Sequence, residues 1–135
     1  MIITNEDLKI WALTVWGEAR GEDVRGQLAV AWVIYNRATK KNKSIKDVCL
    51  QRYQFSCWNP DDPNHKLIAN DSFDVGTKGY WNAIDAIQGV IRVQGALDVT
   101  LGATHYCTLN THPYWANNKD PCVIIGNHKF YNNID

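Results

Sequence analysis

The stretch from about Asp23 to Ala38 most constrains what this chain can become. Val24, Leu28, Val30, Ala31, Trp32, Val33 and Ile34 make it apolar almost all round at helical spacing. Such a helix has no face to give to water, so it should be the buried centre of a domain. The chain has 135 residues, enough for one such domain that buries roughly two-thirds of its unfolded surface. No repeat, low-complexity tract or linker interrupts it, and residues 1–135 read as a single unit.

The flanking segments supply the packing partners. A first helix begins after Thr4 or Asn5, with Asp7 as the capping-box partner of Thr4. Leu8, Trp11, Ala12, Val15 and Trp16 form its buried stripe, and Gly17 is expected to end or loosen it. A short helix starts at Ser44, where Asp47 repeats the capping signature. Tyr53 to Thr77 reads as a loop, rich in Asn, Asp and Pro, and a loop of that length inside a domain usually serves function. A further helix covers Gly79 to Val93, with Gly95 as its stop. Beyond Ala103 the periodicity changes. Thr104 to Cys107 reads as a short strand, and Cys122–Ile125 and His128–Tyr131 as a hairpin across Gly126-Asn127. The expected class is α+β, mainly helical with a small antiparallel sheet near the C-terminus.

Lys and Arg balance Asp and Glu at 14 each, which argues against a nucleic-acid binder with its basic footprint. Lys40, Lys41, Lys43 and Lys46 form the one basic cluster and read as a solvated loop and helix start. No apolar run is long enough to span a bilayer, so no stable membrane insertion is expected. The N-terminus lacks the basic and apolar regions of a signal peptide, which implies synthesis in the cytoplasm and another route of export. Cys49, Cys57, Cys107 and Cys122 show no CxxC pair and read as buried free thiols. Neither they nor the four histidines have metal-ligand spacing, so no metal or other cofactor is expected.

The chemistry centres on Trp16-Gly17-Glu18-Ala19-Arg20-Gly21-Glu22. A carboxyl beside an indole at the end of an apolar helix is poorly solvated and tends to keep a proton, as a general acid must. The flanking small residues leave room for a bulky substrate, and Glu18 is the catalytic candidate. Glu22 would share its face in an unbroken helix, but Gly21 intervenes and a capping role at the next helix is expected. Gln54, Phe55 and Ser56 combine amide, ring and hydroxyl in a way that suits a sugar subsite. Thr104 and Tyr106 share one strand face while His105 points the other way. Tyr114 or Trp115 could form a stacking wall.

With these pieces in order, the chain resembles the SleB-type cell-wall hydrolases, the family of spore cortex-lytic enzymes and related lysins. The resemblance rests on Trp16 to Glu22, Gly26 to Ala31 running on to Asn36-Arg37, Gln54 to Ser56, Gly102 to Tyr106, Pro113 to Ala116, and Ile125 to Tyr131. It implies a lysozyme-like fold and cleavage of the β-1,4 bond between N-acetylmuramic acid and N-acetylglucosamine. The family's catalytic glutamate falls on Glu18, with Thr104, Tyr106 and Gln54 to Ser56 around the groove. Apart from that carry-over, Glu22 and His128 are secondary candidates.

The mechanism expected is lytic transglycosylation, which needs one carboxylate and leaves 1,6-anhydro-muramic ends. A hydrolytic muramidase would use Glu22, Asp61 or Asp62 as its second acid, and a non-catalytic peptidoglycan-binding module would turn nothing over. The expected partner is the glycan strand of peptidoglycan, met by a monomer. The lack of a wall-binding repeat and of a secretion signal fits a phage-type endolysin that reaches the wall after holin-type or other release, or a secreted domain excised from a longer protein.

Overall fold

Thr4 starts the first helix, α1 (Asn5–Ala19), through a complete capping box. Its hydroxyl accepts from the Asp7 amide at 3.1 Å, and Asp7 Oδ2 accepts from the Thr4 amide at 3.0 Å. The second oxygen of Asp7 accepts from the Lys46 amide at 2.9 Å, which ties the start of α1 to the start of α3 (Ile45–Leu50). The computed structural model describes residues 1–52, 54–69, 74, 76–93 and 97–135.

Helix α1 does not stop at Gly17, as the sequence implied. A side chain there would bring its Cβ to 2.7 Å from the Cβ of Cys57. The glycine therefore serves a close approach between chain segments, and the helix runs on for two residues. Asp23 then caps α2 (Val24–Lys41), accepting from the Gly26 amide at 2.9 Å. That capping role had been expected of Glu22. Helix α2 outlasts the expected end at Ala38 and closes at Asn42, whose φ of 53° lies in the left-handed region.

Ser44 caps α3 as expected, accepting from the Asp47 amide at 3.0 Å. The segment read as loop contains a 3-10 turn at Ser56–Trp58 and the single-turn helix α4 (His65–Ile68). Short elements of this kind have no hydrophobic period to reveal them. Helix α5 spans Tyr80–Val93; Tyr53 and the expected stop at Gly95 lie outside the described residues. Three antiparallel strands follow, β1 (His105–Thr108), β2 (Val123–Ile125) and β3 (His128–Tyr131), in the order β1-β3-β2. Ile125 pairs with His128 across the Gly126-Asn127 turn, where Gly126 takes a φ of 57°.

Helix α2 is the centre that its composition demands. One side packs Val30, Ala31, Ile34 and Ala38 with Trp11, Val15 and Trp16 of α1 and with Ala83, Ile87 and Val90 of α5. Its other side sets Ala29 and Val33 against Ala103, Ile125 and Phe130 of the sheet layer. Asn36 donates to Asp98 Oδ2 at 2.8 Å and to the Ala103 carbonyl at 3.0 Å, which fixes the chain entering β1. The four cysteines are free thiols, and burial pushes the Cys49 thiol up to about 12. Among the described residues no helix is long and apolar enough to cross a membrane.

Candidate active site

Glu18 lies in the last turn of α1, and its half-buried carboxylate is held from three sides. The Tyr106 hydroxyl donates to Oε1 at 2.9 Å, the Cys57 amide to Oε2 at 3.1 Å, and the Ser56 hydroxyl to Oε2 at 3.3 Å. The first donor comes from β1 and the other two from the 3-10 turn that Gly17 allows to close on the helix.

The neighbourhood differs from the apolar slot expected beside Trp16. Two residues apart on a helix means about 200° of rotation, so the indole faces away from Glu18. Trp16 is 1 % exposed; its Nε1 donates to the Lys78 carbonyl at 3.0 Å and its ring lies under the Arg20 guanidinium at 4.4 Å. Polar donors, not the indole, surround the acid.

Over Glu18 opens a cleft of about 610 Å³. Gln54, Phe55, Ser56, Tyr106, Tyr114 and Trp115 line it, six of the seven groove residues expected, together with Arg37, His105 and Asp135. Trp115 is fixed between the rings of His105 at 5.0 Å and Tyr131 at 5.2 Å, whereas Tyr114 stands 85 % exposed at the rim. Phe55 forms the floor beneath Arg37, whose guanidinium lies 5.2 Å from its ring.

Thr104 is the seventh and does not border the cleft. It is buried, its carbonyl accepts from Arg37 Nε at 3.0 Å, and its hydroxyl pairs with His105 Nδ1 at 2.9 Å. His105, expected to point away, borders the cleft instead. Strand β1 is the edge of the sheet, so side chains of either face can reach a cleft that runs beside it.

Glu22 and His128 also stand apart from the cleft. Glu22 accepts from the Asn127 amide at 3.1 Å and its Nδ2 at 3.0 Å, and His128 Nδ1 lies 2.9 Å from Glu22 Oε1 as a close polar contact. The pair clamps the hairpin onto the junction of α1 and α2. It touches the site through Tyr106, whose ring His128 meets edge-on at 5.1 Å. Asp62 accepts from its own loop, at the Asn64 amide, at 2.8 Å.

Two titrating groups that line the cleft with Glu18 are held in their neutral forms. Burial, then the charge and hydrogen bond of Glu18, raise the Tyr106 hydroxyl well above its ordinary range, so it stays a donor. Burial, then Arg37, Lys41 and Lys40, push His105 down to about 4. Sequence reasoning had not singled out Arg37, although a signal existed. It follows Val30, Val33 and Ile34 at helical spacing, which puts a cation on a core stripe. The Cys57 amide had no such signal, because a backbone donor carries no residue identity.

The helical frame, the small sheet at its edge and a carboxylate held by three donors in an aromatic-walled cleft fit an enzyme that cleaves a polysaccharide. The family model described as Cell Wall Hydrolase matches residues 21–131, and the chain belongs to that family of peptidoglycan-degrading enzymes. Glu18 lies just before the matched span.

Two solved structures are similar along nearly their whole length. One is the catalytic domain of the germination-specific lytic transglycosylase SleB from Bacillus anthracis, 27 % identical, covering 95 % of each chain with a TM-score of 0.72. The other is the catalytic domain of the Bacillus cereus SleB protein, 28 % identical, covering 96 % of this chain and 92 % of that one with a TM-score of 0.74. No curated protein matches the chain.

Proposed function

We propose that residues 1–135 form a single catalytic domain that cleaves the β-1,4 bond between N-acetylmuramic acid and N-acetylglucosamine as a lytic transglycosylase, with Glu18 as acid and then base. The observation that carries this reading is the triply hydrogen-bonded carboxylate of Glu18 at the cleft. Glu22, Asp61 and Asp62, the acids a hydrolase would call on, do not border the cleft. Likeness to a protein described as a lytic transglycosylase adds to it.

In the first step, protonated Glu18 gives its proton to the glycosidic oxygen as the C1–O bond breaks and an oxocarbenium-like state forms. The carboxylate left behind keeps its hydrogen bonds from Tyr106 and Cys57, which stabilise the charge. It then takes the proton from the muramic C6 hydroxyl as that oxygen closes on C1. The substrate supplies the nucleophile, so one carboxylate suffices. Gln54, Tyr114 and Trp115 are the groove residues that face the saccharide, by hydrogen bonding and stacking.

Mass spectrometry of muropeptides released from purified sacculi tests the proposal. Anhydro-muramic ends are the expected product, and reducing muramic ends would overturn it in favour of hydrolysis. A hydrolase would need Asp135, the one other carboxylate lining the cleft among the described residues. A protein that pulls sacculi down without clearing them would be a binding module instead. The phage-type lysin reading rests on the sequence resemblance. It predicts that the protein made inside cells lyses them only after the membrane is breached, and lysis without a breach would refute it.

A further inference from the structure

Arg37 is the part of the cleft that the proposed reaction leaves unused. It stands on α2 and is 4 % exposed, yet it borders the same cleft as Glu18. Its Nε and one terminal nitrogen donate to the Thr104 carbonyl, and the other terminal nitrogen donates to Gln54 Oε1 at 3.0 Å. Both acceptors are neutral. A guanidinium has five N–H donors, so among the described residues these contacts leave two of them over. Among the described residues no carboxylate forms an ion pair with Arg37.

Burying a cation without a counter-ion is costly, and the penalty falls when an anion arrives. The surrounding charges do not supply one. Lys40 and Lys41 add positive field to this wall, and His105 is kept neutral beside them. The Glu18 carboxylate is already engaged by Tyr106, Ser56 and Cys57, and Asp135 is exposed and makes no ion pair with Arg37. Gln54 is exposed, so its amide can share the guanidinium with an incoming group.

We propose that Arg37 and Gln54 form a recess for a carboxylate carried by the muramic residue of the glycan. This rests on the glycosidase reading and deepens it. The hydroxyls and acetamido groups of the sugar rings are neutral and do not call for a buried cation. A carboxylate can come from two sources on that residue: the lactyl group where the stem peptide is gone, or the stem peptide where it is present. The enzyme would then sense the peptide state of the strand it cuts.

Fluorescence titration of the cleft tryptophan, Trp115, separates these sources. The probes are N-acetylmuramic acid and N-acetylmuramyl-L-alanine, each as the free acid and as its amide, at physiological salt. At least one acid should bind about ten-fold tighter than its amide, the scale of one charge-assisted hydrogen bond. Which acid does so names the source. The ratio should fall to about one in Arg37→Gln. That variant removes a buried side chain and can unfold the protein, so Gln54→Glu provides the second arm. It sets an internal carboxylate on Arg37 from an exposed position and should also abolish the preference.

Equal binding of acid and amide in both pairs, no binding of any probe, or a preference that survives in either folded variant overturns the recess. Clearing of sacculi by the wild-type protein is followed alongside. Clearing without acid preference sinks the recess alone, whereas no clearing sinks the glycosidase reading.

Discussion

Glu18 and Glu22 are the same residue type four positions apart in one short motif, and the molecule treats them as opposites. Glu18 closes α1 and turns toward an open cleft, where its hydrogen bonds come from two side-chain hydroxyls and one amide. Glu22 stands past the helix end, where its carboxylate is taken up by Asn127 and His128 and its backbone carbonyl accepts from Gln27 Nε2 at 3.2 Å. Helical spacing would have set the two acids side by side. The break at Arg20-Gly21 swings the second one toward the hairpin instead. The lesson is that a paired-acid motif is only as good as the helix beneath it. One acid faces the cleft while the other holds the hairpin in place.

The sharpest way to break this contrast is Glu18→Gln. The amide keeps the shape but cannot deliver a proton, so clearing of sacculi should fall about a thousand-fold or more while thermal unfolding stays near that of the wild type. Retained activity would remove Glu18 from the mechanism. Next in size is Tyr106→Phe, which deletes the donor to Oε1 and keeps the ring stacked on Phe130. Losing one hydrogen bond to a charged group should slow turnover about ten- to a hundred-fold, seen in the rate at saturating substrate.

How much of this could be read from the chain depended on whether a residue's role is local. The capping pairs Thr4–Asp7 and Ser44–Asp47, the central position of α2 and the Gly126-Asn127 hairpin depend on neighbours in sequence, and all were legible. Gly17 was misread because its reason lies 40 positions away, at Cys57. The groove residues Gln54 to Ser56, Tyr114 and Trp115 carried a chemical signature and come together at one cleft. Thr104 did not, since strand alternation does not say on which side of an edge strand a cleft will run. Arg37 was visible as a cation on a core stripe, but sequence gives no hint of what a buried guanidinium faces.

Glu22→Ala should invert the pattern seen for Glu18→Gln. It removes the acceptor for Asn127 and the partner of His128 at a nearly buried position, where both carboxylate and imidazole side chains are 10 % exposed. A loss of about 2 kcal/mol in unfolding free energy is expected. The rate per folded molecule should stay within about five-fold, because the side chains of the pair do not border the cleft and touch the site through the ring of Tyr106. A loss as deep as that of Glu18→Gln, in a protein that is still folded, would make Glu22 the second catalytic acid and restore the hydrolase.

The smallest effect concerns a third acid, Asp7, at the other end of α1, which extends the contrast to a group with a purely structural role. Burial opposes its ionisation, but hydrogen bonds from the Thr4 and Lys46 amides and the Thr4 hydroxyl win, and its pKa lies below the usual 3.8. A depressed acid stabilises the folded state above its unfolded value, and that stability drains as pH falls below about 3.8. His105 acts in a higher window. Its folded pKa of about 4 lies below 6.5, so between those values the unfolded chain binds the extra proton and stability falls as pH is lowered. Melting temperature should therefore decline in two stages, first from pH 6.5 toward 4 and then further below 3.8. His105→Gln should flatten the first stage alone and Asp7→Asn the second alone. A first stage that survives His105→Gln would refute the assignment of that window to His105.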